Sequence, residues 1–174
     1  MNTSTAIHTP SNVKPEFSPG TLQLVHEIIK RYPEGKQKSA LIPILHLAQN
    51  EFGGWLSPET MEYVASLLNI KNVEVFEVAT FYTMFNTQPV GKYMLEVCHT
   101  GPCMINGADK IINHIKNKLN IEVGETTADG LFTLKPAECL ASCGTAPMMQ
   151  CGQHYYENLT IESIDQLISQ WSTK

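Results

Sequence analysis

The first 97 residues of this 174-residue chain contain no cysteine, whereas residues 98–151 contain all five. Arginine is nearly absent as well, because Arg31 stands alone beside eleven lysines. Neither of the glycine-rich motifs G-x-G-x-x-G and G-x-x-x-x-G-K-S/T occurs, and these are the usual signs of a dinucleotide or phosphate site. The chain therefore has no recognisable nucleotide site of its own, and its thiol chemistry is confined to the second half.

Long apolar runs and an excess of positive charge are also missing. No run reaches the roughly eighteen apolar residues of a membrane-spanning helix, and the N-terminus has no secretion or transit signal. Seventeen acidic against twelve basic residues give a net charge of −5, which disfavours a nucleic-acid partner. We expect a cytoplasmic protein without a direct membrane span, in which reduced thiolates bind metal.

Four of the five cysteines form two short pairs. Cys98 and Cys103 have the spacing C-x4-C, and Cys139 and Cys143 have the spacing C-x3-C. Four converging thiolates can hold zinc or an iron–sulfur cluster, and without metal they can form two disulfides. The spacing alone favours iron–sulfur and zinc about equally, so a structural zinc-binding interaction module remains an alternative. A thioredoxin-like disulfide exchanger is disfavoured, because it requires C-x-x-C.

The residues around the paired cysteines are mostly small, which lets backbone N–H groups approach sulfur. No lysine or arginine lies between Cys98 and Asp109, so backbone dipoles must offset the negative charge of a thiolate site. We expect a helix beginning just after Cys103 to direct its N-terminal N–H groups toward the site.

Several motifs together resemble a known family. CHTGPC, AECLASCGTAPMMQ and HYYENLT in the second half, with LIPILHLAQNEFGGWLSPE and VEVFEVATFYTMF in the first, occur in the order found in the 2Fe-2S subunit of NADH:quinone oxidoreductase (respiratory complex I). The resemblance covers about residues 18–174. It is specific, because both cysteine spacings and the order of segments match together.

The resemblance implies that Cys98, Cys103, Cys139 and Cys143 bind a 2Fe-2S cluster, and it implies no catalytic acid, base or nucleophile. The expected function is one-electron exchange with FMN on an NADH-binding partner subunit, beside a large iron–sulfur subunit of the same complex. The protein would then lie peripherally on the cytoplasmic side of the inner membrane. Similar subunits serve NAD-reducing hydrogenases and NAD-linked formate dehydrogenases, and the sequence does not separate these alternatives.

The hydrophobic pattern predicts an α+β protein. Residues 1–17 are polar and are expected to form a flexible tail. Residues 18–90 show amphipathic helices that begin at Ser18-Pro19, near Ser39 and at Ser57-Pro58. Asn72 is expected to cap the fourth segment, VEVFEVATFYTMF. Its β-branched and aromatic residues would also allow a strand, and the family resemblance implies a helix. These helices form an all-helical bundle expected to offer a docking surface.

Residues 91–174 change from helical to mixed periodicity, and the resemblance implies a thioredoxin-like 2Fe-2S domain. The pattern predicts a strand from Tyr93 to Val97, a helix over about 105–119 and a final helix capped by Thr160. Asp129-Gly130 and Gly152-Gln153 predict two hairpins, the first between segments 122–126 and 131–135. Cys151 lies on the second hairpin and is expected to be an inward-facing strand residue rather than a ligand.

Overall fold

A computed structural model describes residues 14–173 of the chain. The chain divides into two compact units between Gln88 and Pro89, and each unit is described by itself. Most of the expected tail, residues 1–13, lies outside the described residues.

The first unit consists of helices, two of which begin after the expected capping residues Ser18 and Ser57. They are α1 (Pro19–Ile29), a short 3-10 turn (Gln37–Ala40), α2 (Leu41–Glu51), α3 (Pro58–Leu68) and α4 (Asn72–Phe81). The Ser57 hydroxyl accepts the Thr60 N–H at 3.1 Å, which satisfies one of the free donors at the start of α3. Asn69 ends the same helix in the left-handed conformation, with φ at 52°.

Apolar side chains from all four helices form the core of the first unit. Its fully buried members include Val25, Ile44, Leu45, Leu56, Val64 and Val75. Phe17 belongs to the same core and stacks on Phe52 with ring centroids 5.2 Å apart. The last residue of the expected tail is therefore packed rather than flexible.

The α4 segment is a helix despite its β-branched residues, because Val75 and Ala79 are buried against the bundle. Its start differs from the expectation by one residue. Lys71, and not Asn72, occupies the N-cap position, and the Glu74 carboxylate accepts the Lys71 N–H at 3.0 Å. The helix ends at Phe81, so the rest of the aromatic segment is irregular.

The second unit is a four-stranded mixed sheet with two long helices. Its elements are β1 (Tyr93–Cys98), α5 (Pro102–Ile105), α6 (Ala108–Leu119), β2 (Phe132–Ala137), β3 (Met149–Cys151), β4 (His154–Tyr156) and α7 (Ile161–Ser172). The strand order is β2-β1-β3-β4, in which β1 and β2 are parallel and the other pairs are antiparallel.

Alternation along the strands places the core on one face of this sheet. Leu95 and Val97 of β1 are buried with Leu134 of β2 and Met149 of β3. Ile111 and Ile115 of α6, and Ile164, Ile168 and Trp171 of α7, complete this core. The opposite face carries polar residues, including Glu96 and Lys135, whose charged atoms lie 3.6 Å apart. The buried face thus fixes which residues of β1 and β2 point away from the helices.

Two predictions for the second unit were wrong in part. The expected helix over 105–119 is interrupted, because Gly107 has φ at 92° and separates the one-turn α5 from α6. The helix that follows Cys103 therefore does not begin at the cysteine. The first hairpin is reduced to one bridge between Thr126 and Thr133, since residues 122–125 turn rather than extend. The second hairpin is confirmed as β3 and β4.

An ionic cluster joins the two long helices of the second unit. The Asp165 carboxylate of α7 lies 2.7 Å from His114 Nε2 and 2.9 Å from Lys118 Nζ, both on α6. Hydrogen bonds from Lys118 and then His114 lower the pKa of the Asp165 carboxyl from its ordinary value. The carboxylate therefore stabilises the packing of α6 against α7 in its charged form.

Within residues 14–173, no helix is long and apolar enough to cross a membrane.

We expect Gly91→Ala to destabilise the second unit. A Cβ at Gly91 would lie 2.8 Å from the backbone N and C atoms of Phe132, and neither atom can move without displacing β2. Overpacking of this kind costs roughly 1–3 kcal/mol. Denaturant unfolding measures the loss. Gly20→Ala is the matched control, because nothing lies within 4 Å of its added Cβ, and it should leave stability unchanged or slightly raised. Equal stability of the two variants would contradict the expectation.

We expect Asp165→Asn to lower the thermal midpoint at neutral pH and to lose this effect in acid. The folded pKa of Asp165 lies below its ordinary value of 3.8, so the stabilisation is present above that value. It disappears as the pH falls through the folded pKa, because both states are then protonated. Thermal unfolding of parent and variant between about pH 7 and pH 2 checks the convergence. A difference that stays constant over this range would contradict the ionic explanation.

Candidate metal centre

The two cysteine pairs lie at the same end of the sheet because β1 and β2 run in parallel. Cys98 is the last residue of β1 and pairs in register with Ala137, the last residue of β2. Cys139 follows β2 by two residues, and Cys143 begins a 3-10 turn that reaches Thr145. Both pairs are therefore delivered by adjacent strand ends.

The first pair is buried. Cys98 is 4% exposed and Cys103, in α5, is 2% exposed. They pack with Ala108 and Met148, and partly with Leu140 and Ala146 of the second loop. This packing removes the first two sulfurs from water.

The second pair is exposed. Cys139 and Cys143 both lie on the surface, in a loop with little regular structure. Ala141, between them, has φ at 58°, a left-handed conformation that is uncommon for a residue with a side chain. One pair of candidate ligands is therefore shielded from solvent, and the other pair is accessible to it.

Backbone N–H groups point at the sulfurs, but they come from the loops and not from the N-terminus of the helix expected just after Cys103. The Ala141 N–H donates to Cys139 Sγ at 3.4 Å. The N–H groups of Thr100 and Leu140 donate to the Cys98 sulfur, and that of Met148 donates to the Cys103 sulfur. Three of these four donors come from the second loop or the segment after it, so both loops contribute positive electrostatic potential around the sulfurs.

The two buried thiols differ in acidity. Burial raises the pKa of Cys103 to about 11, and the neighbouring Cys98 sulfur adds to the rise. Burial also acts on Cys98, but hydrogen bonds from the Thr100 N–H, the Cys103 thiol and the Leu140 N–H bring its pKa below the ordinary value. The Cys98 thiol itself donates to the carbonyl oxygen of Glu138, with its Sγ 3.9 Å from that oxygen. The Cys143 thiol adds a smaller contribution to the raised pKa of Cys103.

Side chains next to the cysteines link the two loops directly. The Thr100 hydroxyl donates to the carbonyl oxygen of Glu138, and His99 Nε2 lies 3.5 Å from the Glu138 carboxylate. Sequence reasoning missed this link, since Thr100 and Glu138 are distant along the chain. The only indication of this link in the sequence was that both residues lie close to cysteines.

Sequence reasoning also missed a hydrogen-bonded group around Cys143. The hydroxyls of Ser142 and Thr145 both donate to Oε1 of Glu157, each at 2.6 Å. Glu157 follows β4 and belongs to the HYYENLT motif. The family resemblance marked this motif, but nothing in the sequence indicated that Glu157 contacts the Cys143 loop.

Cys151 lies apart from both loops, on β3. It is 8% exposed and belongs to the main core of the sheet. Burial raises the pKa of its thiol to about 11, with a smaller contribution from the Glu96 charge. The expected inward-facing position is confirmed.

The donor set fits a 2Fe-2S cluster. All five cysteines are free thiols, and the four in question supply two thiols from each of two adjoining loops. Each iron of such a cluster takes two thiolates. Over residues 14–173, no three His, Cys, Asp or Glu side chains form a compact group able to hold a single metal ion.

Comparisons with known proteins give the family. The family model for thioredoxin-like 2Fe-2S ferredoxins matches residues 25–172. The E subunit of NADH-quinone oxidoreductase from Rickettsia felis is 46% identical over 156 residues, which are 90% of this chain and 93% of that protein. Its counterpart in Rickettsia typhi is 44% identical over 98% of both proteins. The mitochondrial NADH dehydrogenase (ubiquinone) flavoprotein 2 of Dictyostelium discoideum is 44% identical over 94% of this chain and 64% of its own.

Among solved structures, an NAD+-reducing NiFe-hydrogenase in the air-oxidized state matches with a TM-score of 0.66 over 74% of this chain. The match is 20% identical and spans only 23% of the hydrogenase chain, so it shows the fold alone. The expected α+β fold, with its helical first part and thioredoxin-like second part, is confirmed. The expected 2Fe-2S cofactor is confirmed too, because the family model and the relatives at 44–46% identity agree: this chain belongs to the thioredoxin-like 2Fe-2S ferredoxins.

Proposed function

We propose that this chain is the electron-transfer subunit of an NADH:quinone oxidoreductase, and that Cys98, Cys103, Cys139 and Cys143 bind its 2Fe-2S cluster. The observation that carries the proposal is the parallel pairing of β1 with β2, which brings the two loops with these four free thiols to the same edge of the sheet. The Rickettsia relatives support it, because they are named as the E subunit of NADH-quinone oxidoreductase and match over nearly their whole length.

The chain's contribution is to hold the cluster and to control its surroundings. When bound, a 2Fe-2S cluster accepts and returns single electrons. The buried pair, Cys98 and Cys103, excludes water from one side, whereas Cys139 and Cys143 face the surface. Electrons therefore enter and leave on the side of the second loop, where a partner can approach closely.

Backbone dipoles supply the positive potential that the site needs. A four-thiolate 2Fe-2S centre carries a net charge of about −2, and reduction adds one more. The N–H groups of Thr100, Leu140, Ala141 and Met148 face the sulfurs and stabilise this charge without a cation. No side chain has to move a proton for this role.

The proposed partners are the FMN- and NADH-binding subunit and a large iron–sulfur subunit of the same complex. FMN and NADH are assigned to the partner because this chain contains no nucleotide-binding motif. The exposed apolar side chains of Met104 and Ile105, which are 45% and 87% exposed beside Cys103, support docking at this end of the unit. Through these partners the chain lies peripherally on the cytoplasmic side of the inner membrane.

The first unit is proposed to be a second docking surface. Phe81 at the end of α4 is 77% exposed and packs edge-on against Tyr82, with centroids 5.0 Å apart. Met84 is 37% exposed nearby in sequence. Aromatic residues exposed in this way are enriched where proteins bind other proteins.

We expect Cys103→Ala and Cys139→Ala to lose the cluster, because each removes one of the four thiolates. Iron and acid-labile sulfide analysis, visible absorbance and the reduced-state EPR signal of the anaerobically purified chain measure this. Cys151→Ala is the matched control and should retain about two irons per chain, since Cys151 faces the core instead of the loops.

Two results would contradict this assignment of ligands. One is a colourless parent protein that contains zinc and no iron, which would establish the zinc module instead. The other is a Cys103→Ala or Cys139→Ala spectrum identical to that of the parent.

We expect Phe81→Ser to weaken assembly with the proposed partner subunits and to leave the cluster intact. Loss of a well-packed aromatic at an interface lowers affinity by roughly 2 kcal/mol or more, about thirty-fold. Co-purification of the complex and EPR of the isolated chain measure the two properties separately. Leu24→Ser on α1 is the control, because Leu24 is an apolar side chain that is 38% exposed outside the proposed docking surface. It should leave assembly unchanged. Unchanged assembly of Phe81→Ser would refute this docking surface.

A further inference from the structure

The exposed half of the metal centre is held by a carboxylate from another part of the chain. Ser142 precedes Cys143 by one residue and Thr145 follows it by two, so their side chains flank the cysteine. Both hydroxyls donate to the same Glu157 oxygen at 2.6 Å, and the two hydroxyl oxygens are 2.7 Å apart. One acceptor thus ties together the two ends of the turn that carries Cys143.

Backbone hydrogen bonds hold Glu157 in place for this contact. The Asn158 N–H donates to the Thr145 carbonyl at 2.8 Å, and the Leu159 N–H donates to the Pro147 carbonyl at 2.9 Å. Leu159 itself is buried in the sheet core, which anchors the segment after β4. The carboxylate is therefore presented to the cysteine loop from a fixed backbone.

The turn needs such an external support because its own bonding is sparse. It has three residues and one internal backbone bond, from the Thr145 N–H to the Ser142 carbonyl at 3.2 Å. Gly144 has open space at the position of a Cβ, so the middle residue of the turn has no side chain that could fix it by packing. The buried pair, by contrast, is fixed by the packing of Ala108 and Met148.

We propose that Glu157 is a positioning residue for the cluster, acting through Ser142 and Thr145 to fix the direction in which Cys143 presents its sulfur. The inference rests on the proposed function, in which Cys143 is a ligand. The hydrogen bond from Ser142 and then that from Thr145 lower the pKa of the Glu157 carboxyl, so both bonds favour its charged form. Partners that orient ligands in this way change metal affinity by roughly ten- to a hundred-fold when removed.

The test compares variants of the full-length protein, each loaded with its cluster under anaerobic conditions. Glu157→Ala should lose the cluster to a chelator roughly ten-fold faster than the parent and should change the reduced-state EPR signal. Glu157→Gln should remain close to the parent in both, because its amide oxygen can still accept two hydrogen bonds. Glu122→Gln, which removes a carboxylate between α6 and β2, is the charge-matched control and should match the parent.

A second set of variants cuts the same bonds from the other side. The double variant Ser142→Ala, Thr145→Val should reproduce the faster cluster loss, and adding Glu157→Ala to it should cause no further acceleration. The double variant decides the matter by itself if Glu157→Ala fails to fold, as judged by thermal unfolding of the cluster-free chain.

Two results would overturn the inference alone: a cluster-loaded Glu157→Ala with the parental loss rate and EPR signal, or an additive effect in the triple variant. A parent that binds no iron or sulfide would overturn the proposed function, and the inference with it.

Discussion

Parallel pairing of β1 with β2 is the constraint on which the metal centre depends. Because Cys98 is in register with Ala137, the polypeptide leaves both strands at the same edge of the sheet, and two loops that are distant in sequence become neighbours. The pairing is specified by the core on the other face, where Leu95 lies beside Leu134 against α6 and α7. A slip of one residue would turn these side chains away from the helices and separate the loops. Packing of ordinary aliphatic residues therefore fixes the position of the thiols.

The two halves of the centre are stabilised by different forces. Cys98 and Cys103 are fixed by burial, which keeps water from their sulfurs. Cys139 and Cys143 are exposed, and the Cys143 turn depends on hydrogen bonds to Glu157 and to the segment after β4. An electron carrier benefits from this division, because the rigid buried side limits reorganisation while the exposed side gives access to a partner.

Local sequence signals predicted the helix starts that a serine or threonine side chain caps, and they failed where tertiary contacts decide the conformation. Ser57-Pro58 and Thr160 mark the starts of α3 and α7, since a cap is a property of adjacent residues. Gly107 was overlooked as a break because glycine inside a helical pattern is only mildly unfavourable, and its left-handed φ depends on how α5 turns into α6. The cysteine spacing gave the candidate ligands but left zinc and iron–sulfur open. Glu157 could not be assigned, because nothing in its local sequence indicates that it reaches the residues around Cys143.

The order in which the polypeptide is made has a consequence for this architecture. Cys98 and Cys103 leave the ribosome first, and α6 separates them from the strand that carries the second loop. Until β2 has been synthesised and has paired with β1, the nascent polypeptide offers only half of the thiols. With Cys98, Cys103, Cys139 and Cys143 as the proposed ligands, insertion of the cluster has to follow translation of this unit.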